Sequence, residues 1–162
     1  KKLLVPGRIN HVLCTGNLCT EEQLEFLRSL SSSVHVVRGD FDEIQDLPET
    51  KVVDIGDFKI GLCHGHQIVP WGDAESLAAM KRQLGVDILV TGHTHQNALR
   101  ESDGSWFINP GSITGAYSSL SSKTTPSFIL MAMNGPKVIN YVYELGPDGK
   151  TKIHKTEFTK KA

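Results

Sequence analysis

Val86-Asp87-Ile88-Leu89-Val90-Thr91-Gly92-His93-Thr94-His95 decides how this chain is read. Val86 to Thr91 is short and mostly apolar, as a strand buried on both faces requires, and it stops at a glycine. Two histidines one residue apart follow at once. The same grammar occurs three times upstream. His11-Val12-Leu13-Cys14-Thr15 runs into Gly16-Asn17, Val34 to Arg38 into Gly39-Asp40, and Phe58 to Cys63 into His64-Gly65-His66. Sites in parallel α/β units assemble at the strand C-terminal ends. These four ends would therefore bring Asn17, Asp40, His64 with His66, and His93 with His95 to one edge. Imidazole nitrogens with carboxylate or amide oxygens are a ligand set for zinc, manganese or iron. A single histidine after a strand is more often a surface or capping residue, and Asn or Asp beside Gly a turn former. Recurrence of the pattern favours a metal-type site.

Outward from these strands the pattern is helical, then β-rich. Thr20, followed by Glu21, Glu22 and Gln23, opens a helix with Leu24, Leu27 and Leu30 as its apolar stripe, ended by Ser31-Ser32-Ser33. Asp73 caps a second helix with Leu77, Met80 and Leu84 on one face and Gly85 as its left-handed stop. Gly56-Asp57 turns a hairpin between Val52-Val53-Asp54-Ile55 and Phe58 to Cys63. Asp103-Gly104, Asn134-Gly135 and Asp148-Gly149 predict antiparallel hairpins through the last third, with Ser118 to Ser127 as a loop and Lys150 to Ala162 as an edge strand. The reading is one α/β domain with a parallel half and an antiparallel half.

Composition bounds what such a domain does. The 162 residues suffice for one real core. Seventeen Lys and Arg against 18 Asp and Glu leave a formal charge of −1, so no field draws nucleic acid or an acidic membrane. The longest apolar run, Phe128 to Met133, is far short of the roughly 20 residues a membrane-spanning helix needs. Cys14, Cys19 and Cys63 form no disulfide framework and suit a reducing compartment. His11, His35 and His154 sit in no ligand pattern. Lys1-Lys2-Leu3-Leu4 has no initiator Met and no signal-peptide pattern, so the expectation is that a native N-terminal segment precedes it.

Gly16-Asn17, Gly39-Asp40, His64-Gly65-His66, Gly92-His93-Thr94-His95 and Asn109-Pro110-Gly111-Ser112, in that order, resemble the calcineurin-like metallophosphoesterases over nearly the whole chain. The resemblance implies a metallophosphoesterase-like four-layer sandwich, two packed β-sheets flanked by helices, as a single domain over residues 1–162. It implies a divalent metal, zinc or manganese, on Asn17, Asp40, His64, His93 and His95, and hydrolysis of phosphate esters by a metal-activated hydroxide. Three departures alter that expectation. The family's bridging Asp and following Asn are inverted here as Asn17 and Asp40, and a neutral amide offsets the repulsion of two cations poorly. Phe41 stands where the family places a histidine that stabilises or protonates the transition state, a contribution of roughly 10²–10⁴-fold that a phenyl ring lacks. The family's first motif, Asp-x-His, would lie before residue 1; in a molecule truly without it the expectation is weak or no metal occupancy.

Longer stretches are similar to a branch of this family reused as a scaffold in the retromer complex. They are Leu13 to Cys19, Arg38 to Asp42, His64 to Gln67 with Pro70 to Asp73, Gly111 to Tyr117, and Pro126 to Met131. That similarity implies a protein with no catalytic residue, peripheral on the cytosolic side of endosome membranes without inserting into them. One face would dock on the α-solenoid subunit of retromer, and another would recruit retromer-associated regulators and sorting nexins. Ile68-Val69-Pro70-Trp71 is either a loop folded on its own core or an interface, with Val69 and Trp71 as its contacts. Leu3, Leu4, Leu130, Tyr141 and Tyr143 form, by the same similarity, an apolar patch away from the metal edge. Alternation puts Tyr141 and Tyr143 on one sheet face, whereas the run around Leu130 by itself reads as core. The runner-up function is a metal-dependent phosphodiesterase, and a bare structural or metal-buffering protein ranks third.

Overall fold

A computed structural model describes residues 3–44, 46–120 and 123–162; Lys1, Lys2 and residues 121 and 122 of the expected Ser/Thr loop lie outside them. The four ligand-bearing strands form as expected, as two parallel pairs. β1 (His11–Cys14) lies parallel to β2 (Ser33–Val36) with Leu13 opposite His35. β4 (Phe58–Cys63) lies parallel to β5 (Ile88–Thr91) with Cys63 opposite Thr91. Each pair is joined through a helix. α1 (Glu21–Leu30) starts at Thr20, whose hydroxyl accepts the Gln23 amide, and buries Leu24 and Leu30. α2 (Ala74–Leu84) starts at Asp73, whose carboxylate accepts the Ser76 amide, and stops at Gly85 in the left-handed region. β5 begins two residues later than its apolar run, because Asp87 turns its carboxylate to the Lys59 amide and to Lys160.

β3 (Thr50–Ile55), β7 (Ser105–Pro110) and β6 (Asn97–Ser102) complete a five-stranded sheet in the order β3-β4-β5-β7-β6. The antiparallel half is a second sheet of β8 (Ser127–Asn134), β9 (Lys137–Leu145) and β10 (Thr151–Thr159), with β10 the edge strand expected of the tail. Hydrogen bonding thus divides the packed sheets into three ladders, of five, three and two strands.

Period-two alternation sets the layers. Ile60, Leu62, Ile88, Val90, Trp106 and Ile108 face Val138, Ile129 and Met131 of the three-stranded sheet and make the main core. Cys63, Leu89 and Phe107 point the other way, onto Leu77, Met80 and Leu84 of α2. The sheets are therefore packed face to face and flanked by helices. Burial raises the Cys63 thiol to about 12 and the Cys14 thiol to about 11, so both stay protonated small hydrophobes. No helix among the described residues is long and apolar enough to cross a membrane.

Candidate functional site

The C-terminal ends of the two parallel pairs meet at one edge, and the turns that leave them carry the polar side chains. Glycine is needed where these turns touch: a Cβ on Gly39 would overlap Asn17 Oδ1, and one on Gly92 would lie 2.5 Å from Thr15 Oγ1. Asn17, His93 and His95 all have positive φ, at 58°, 67° and 57°. Such conformations are costly for residues with a Cβ and persist only where the surroundings hold them.

Asp42 does much of that holding. It is 6% exposed, its Oδ2 accepts the backbone amides of Asn17 at 2.8 Å and Gly39 at 2.7 Å, and its Oδ1 accepts that of Cys19 at 3.1 Å. One buried carboxylate thereby ties the turn after β1 to the turn after β2. Asn109 plays the matching part beside β5. Its amide donates to Gly92 O at 3.1 Å and Thr94 Oγ1 at 2.9 Å, and its oxygen accepts the Gly111 amide. In the sequence Asp42 and Asn109 stand only as members of family-like stretches, with no role assigned to either, because a loop carboxylate and a loop amide carry no local sign of the turns they hold.

Within this frame, ligand atoms of Asp40, His64 and His93 lie within 4.8 Å of one another. His64 Nδ1 is 2.6 Å from Thr15 O, and a carbonyl only accepts, so Nδ1 carries the proton and Nε2 the lone pair. That lone pair is 3.0 Å from Asp40 Oδ1, and His93 Nδ1 is 3.6 Å from Asp40 Oδ2. Burial is the main reason the His64 pKa lies below its ordinary value, with the Thr15 and Asp40 contacts pulling the other way. Burial likewise lowers His93, opposed by Asp40 and helped by the neighbouring histidines. For Asp40 burial alone would raise the carboxyl, but the Asn17 amide, His64 and His93 together hold it below the usual range. A neutral imidazole lone pair facing a carboxylate at 3.0 Å is an unfavourable pair of acceptors, which the Asn17 amide donor facing both relieves in part and a cation between them would relieve further. The donor set fits a divalent ion of borderline softness.

Asn17 and His95, also expected as ligands, are differently placed. Asn17 Oδ1 accepts the Phe41 amide at 3.0 Å, and its Nδ2 faces Asp40 Oδ1 at 3.0 Å and His64 Nε2 at 3.4 Å. To ligate, Asn17 would have to turn its oxygen inward and release Phe41. His95 Nδ1 is bonded to Ala116 O at 2.9 Å, outside the convergent three. His66 packs its ring 5.4 Å from that of His64, and its buried Nδ1 has no partner among the described residues.

Of the two expected surfaces, the loop after His66 carries exposed apolar side chains, whereas Leu4, Leu130, Tyr141 and Tyr143 of the other are half-buried. In the loop after His66 the alternatives divide between neighbours: Ile68 is buried with Leu89 and Phe107, while Val69 is 73% exposed. Trp71 is partly exposed, donating Nε1–H to His66 O at 3.1 Å. Phe41, 74% exposed, directly follows Asp40; Tyr117, also exposed, follows Ala116, whose carbonyl bonds His95; and the exposed Leu120 lines one cavity with Trp71. On the outer face of the three-stranded sheet Leu130 pairs with Tyr141, and Phe128 stacks on Tyr143 with centroids 4.9 Å apart. Leu130 is therefore half-buried on the outside, and its neighbours Ile129 and Met131 take the core. Leu3 is exposed and Leu4 half-buried.

Residues 2–135 match the calcineurin-like phosphoesterase superfamily domain. The chain is similar to vacuolar protein sorting-associated protein 29 of Schizosaccharomyces pombe, with 38% identity over 164 residues, 99% of this chain and 87% of that protein. It is similar in structure to wild-type Vps29 of Entamoeba histolytica complexed with Zn2+. That match has 54% identity and a TM-score of 0.93, covering 98% of this chain and 87% of the other. A third match is Chaetomium thermophilum Vps29 complexed with a cyclic peptide, with 34% identity, a TM-score of 0.85, and 99% and 86% covered.

Proposed function

The chain belongs to the calcineurin-like phosphoesterase superfamily and, within it, to the Vps29 family, and from that premise we propose that it is a retromer subunit working as a non-catalytic scaffold. The observation that carries the reading is the rim of the histidine cluster. Phe41 beside Asp40, Val69 in the loop after His66, and Tyr117 next to the Ala116 carbonyl that holds His95 are all exposed apolar side chains. A phosphoesterase needs an open, wettable mouth there for a charged ester and a proton donor near the leaving group. An apolar rim instead suits burial under another protein, with the aromatic residues as anchors.

In this reading Val69 and Trp71 dock on the α-solenoid subunit of retromer, on the cytosolic side of endosomes. The outer face bearing Leu130, Tyr141 and Tyr143, together with Leu3 and Leu4, receives retromer-associated regulators and sorting nexins. A cyclic peptide bound by the Chaetomium relative supports peptide capture by this family. Asp40, His64 and His93 would hold a divalent ion, zinc or manganese, whose charge neutralises Asp40 and locks the turns; Zn2+ in the Entamoeba relative supports zinc. Residues 1–162 act as one metallophosphoesterase-like domain. The test is co-purification with the retromer α-solenoid subunit. The intact chain should be retained and Val69→Asp should lose about 90% or more of it, since a buried unpaired carboxylate costs several kcal/mol. Failure of the intact chain to bind would sink the reading.

The second reading, a metal-dependent phosphodiesterase, is favoured by the convergence of Asp40, His64 and His93. Hydrolysis of an activated phosphodiester with Mn2+, at ordinary enzyme rates and lost in His64→Ala, would establish it. A gain of rate in Phe41→His from a negligible start would speak for the scaffold.

A further inference from the structure

The loop that presents Val69 is anchored in two different ways. On its inner side Ile68 is buried against the α2 layer and its amide bonds Gly65 O at 3.1 Å. The Asp73 amide bonds Pro70 O at 3.1 Å, and Ser76 Oγ donates to Val69 O at 3.2 Å. These contacts seat the loop on its own core. Trp71 reaches the opposite way, towards the histidines. Its Nε1–H donates to His66 O, and its ring stands edge-on to the His93 imidazole, with centroids 4.3 Å apart and planes at 76°. The His93 ring also lies 5.3 Å from that of His64 and 6.3 Å from that of His66. His93 therefore touches the loop through Trp71 and the carboxylate of Asp40 through Nδ1.

An imidazole that closes on a cation loses its freedom to tilt. A ring packed edge-on against it at 4.3 Å then has one wall fixed, and the hydrogen bond to His66 O fixes the other end of the indole. Val69 and Pro70 lie between Trp71 and the buried Ile68, so the exposed side chain of Val69 is presented by a segment held at both ends. We propose that Trp71 is a positioning residue through which a divalent cation on Asp40, His64 and His93 stiffens the loop that presents Val69. The inference rests on the metal reading above and adds a linkage to it. Because coupling free energy is reciprocal, a partner that seats Val69 and Trp71 also tightens the cation.

The test uses the intact chain with Zn2+ alone as the probe, calorimetry to follow binding and hydrogen exchange to follow the loop. Zn2+ should bind and slow exchange of the Ile68, Val69 and Trp71 amides by about fivefold, the low end of coupling between linked sites. Trp71→Ala should still bind Zn2+ in the calorimeter but lose that slowing. A loop insensitive to Zn2+ in the native chain, or equally slowed in Trp71→Ala, overturns the linkage while leaving the metal reading intact. Absence of any Zn2+ binding sinks the metal reading and the linkage together. A further check needs no change at position 71. In Trp106→Phe the indole emission comes from Trp71 and should respond saturably to Zn2+; a flat trace overturns the proposal.

Discussion

The histidine edge and the outer face of β8, β9 and β10 are built on opposite terms. At the edge, Asn17, His93 and His95 occupy the left-handed region, and two glycines are pressed against neighbouring chain. Three ligand groups face one another, and their turns depend on carboxylate and amide bonds from Asp42 and Asn109. The outer face is a plain antiparallel ladder, Phe128 opposite Tyr143 and Leu130 opposite Tyr141, with nothing required of it except register. The comparison teaches where a change is felt. At the edge a substitution removes a bond that several turns share and alters the fold. On the outer face it removes area and alters what the face can hold.

Asp42→Ala is the hardest blow to the edge. It strands the buried amide of Gly39 and the part-buried amides of Asn17 and Cys19, and unfolding stability should fall by about 3 kcal/mol, with loss of divalent-ion binding. Chemical denaturation and a Zn2+ titration measure the two effects; a change below about 1 kcal/mol would mean that the turns are held without it. Tyr143→Ala removes one ring of a stacked, half-exposed pair and should cost about 1 kcal/mol while strongly weakening regulator capture. Equal loss of α-solenoid binding in that variant would erase the distinction between the two faces. Phe41→Asp changes an exposed rim side chain and should move stability by less than about 0.5 kcal/mol, yet reduce docking. Unaltered docking would remove Phe41 from the interface.

The smallest expected effect is that of pH on the metal-free chain. His64, His93 and His35 are all held below the ordinary 6.5 by burial, and for His35 also by Lys51 and His11. The unfolded chain then binds more protons than the folded one as pH falls through 6.5, so stability drops in that window. Asp40, lowered from 3.8, adds a loss in the same direction at more acid pH. Melting temperatures measured from pH 8 to pH 5 should decline. His35→Gln should flatten part of that decline, because both ring nitrogens of His35 are buried with no partner among the described residues. A profile flat through pH 6.5 would contradict the buried neutral histidines.

Much of the framework was legible because its signals are local. Thr20 and Asp73 cap helices through their own side chains, Gly85 stops one through its left-handed φ, and Asp103-Gly104 turns a hairpin, whatever the rest of the chain does. The strand-glycine-ligand grammar likewise placed Asp40, His64 and His93 at one edge. What it could not assign is direction. Asn17 and Asp40 look alike as ligands in sequence, but the Phe41 amide claims the Asn17 oxygen. Ile68 and Val69 are both apolar, yet one is buried and the other 73% exposed, because adjacent residues on that loop face opposite sides.

By itself, then, the sequence determined the elements, their caps and turns, and the kinds of side chain delivered to the strand ends, since each depends on backbone conformation within a few residues. Only the tertiary structure decided which of those side chains converge, that Asp42 binds two turns together, and that Trp71 leans on His93. Those contacts join segments more than 20 residues apart, and their geometry follows from how the packed sheets bring parallel strand ends together.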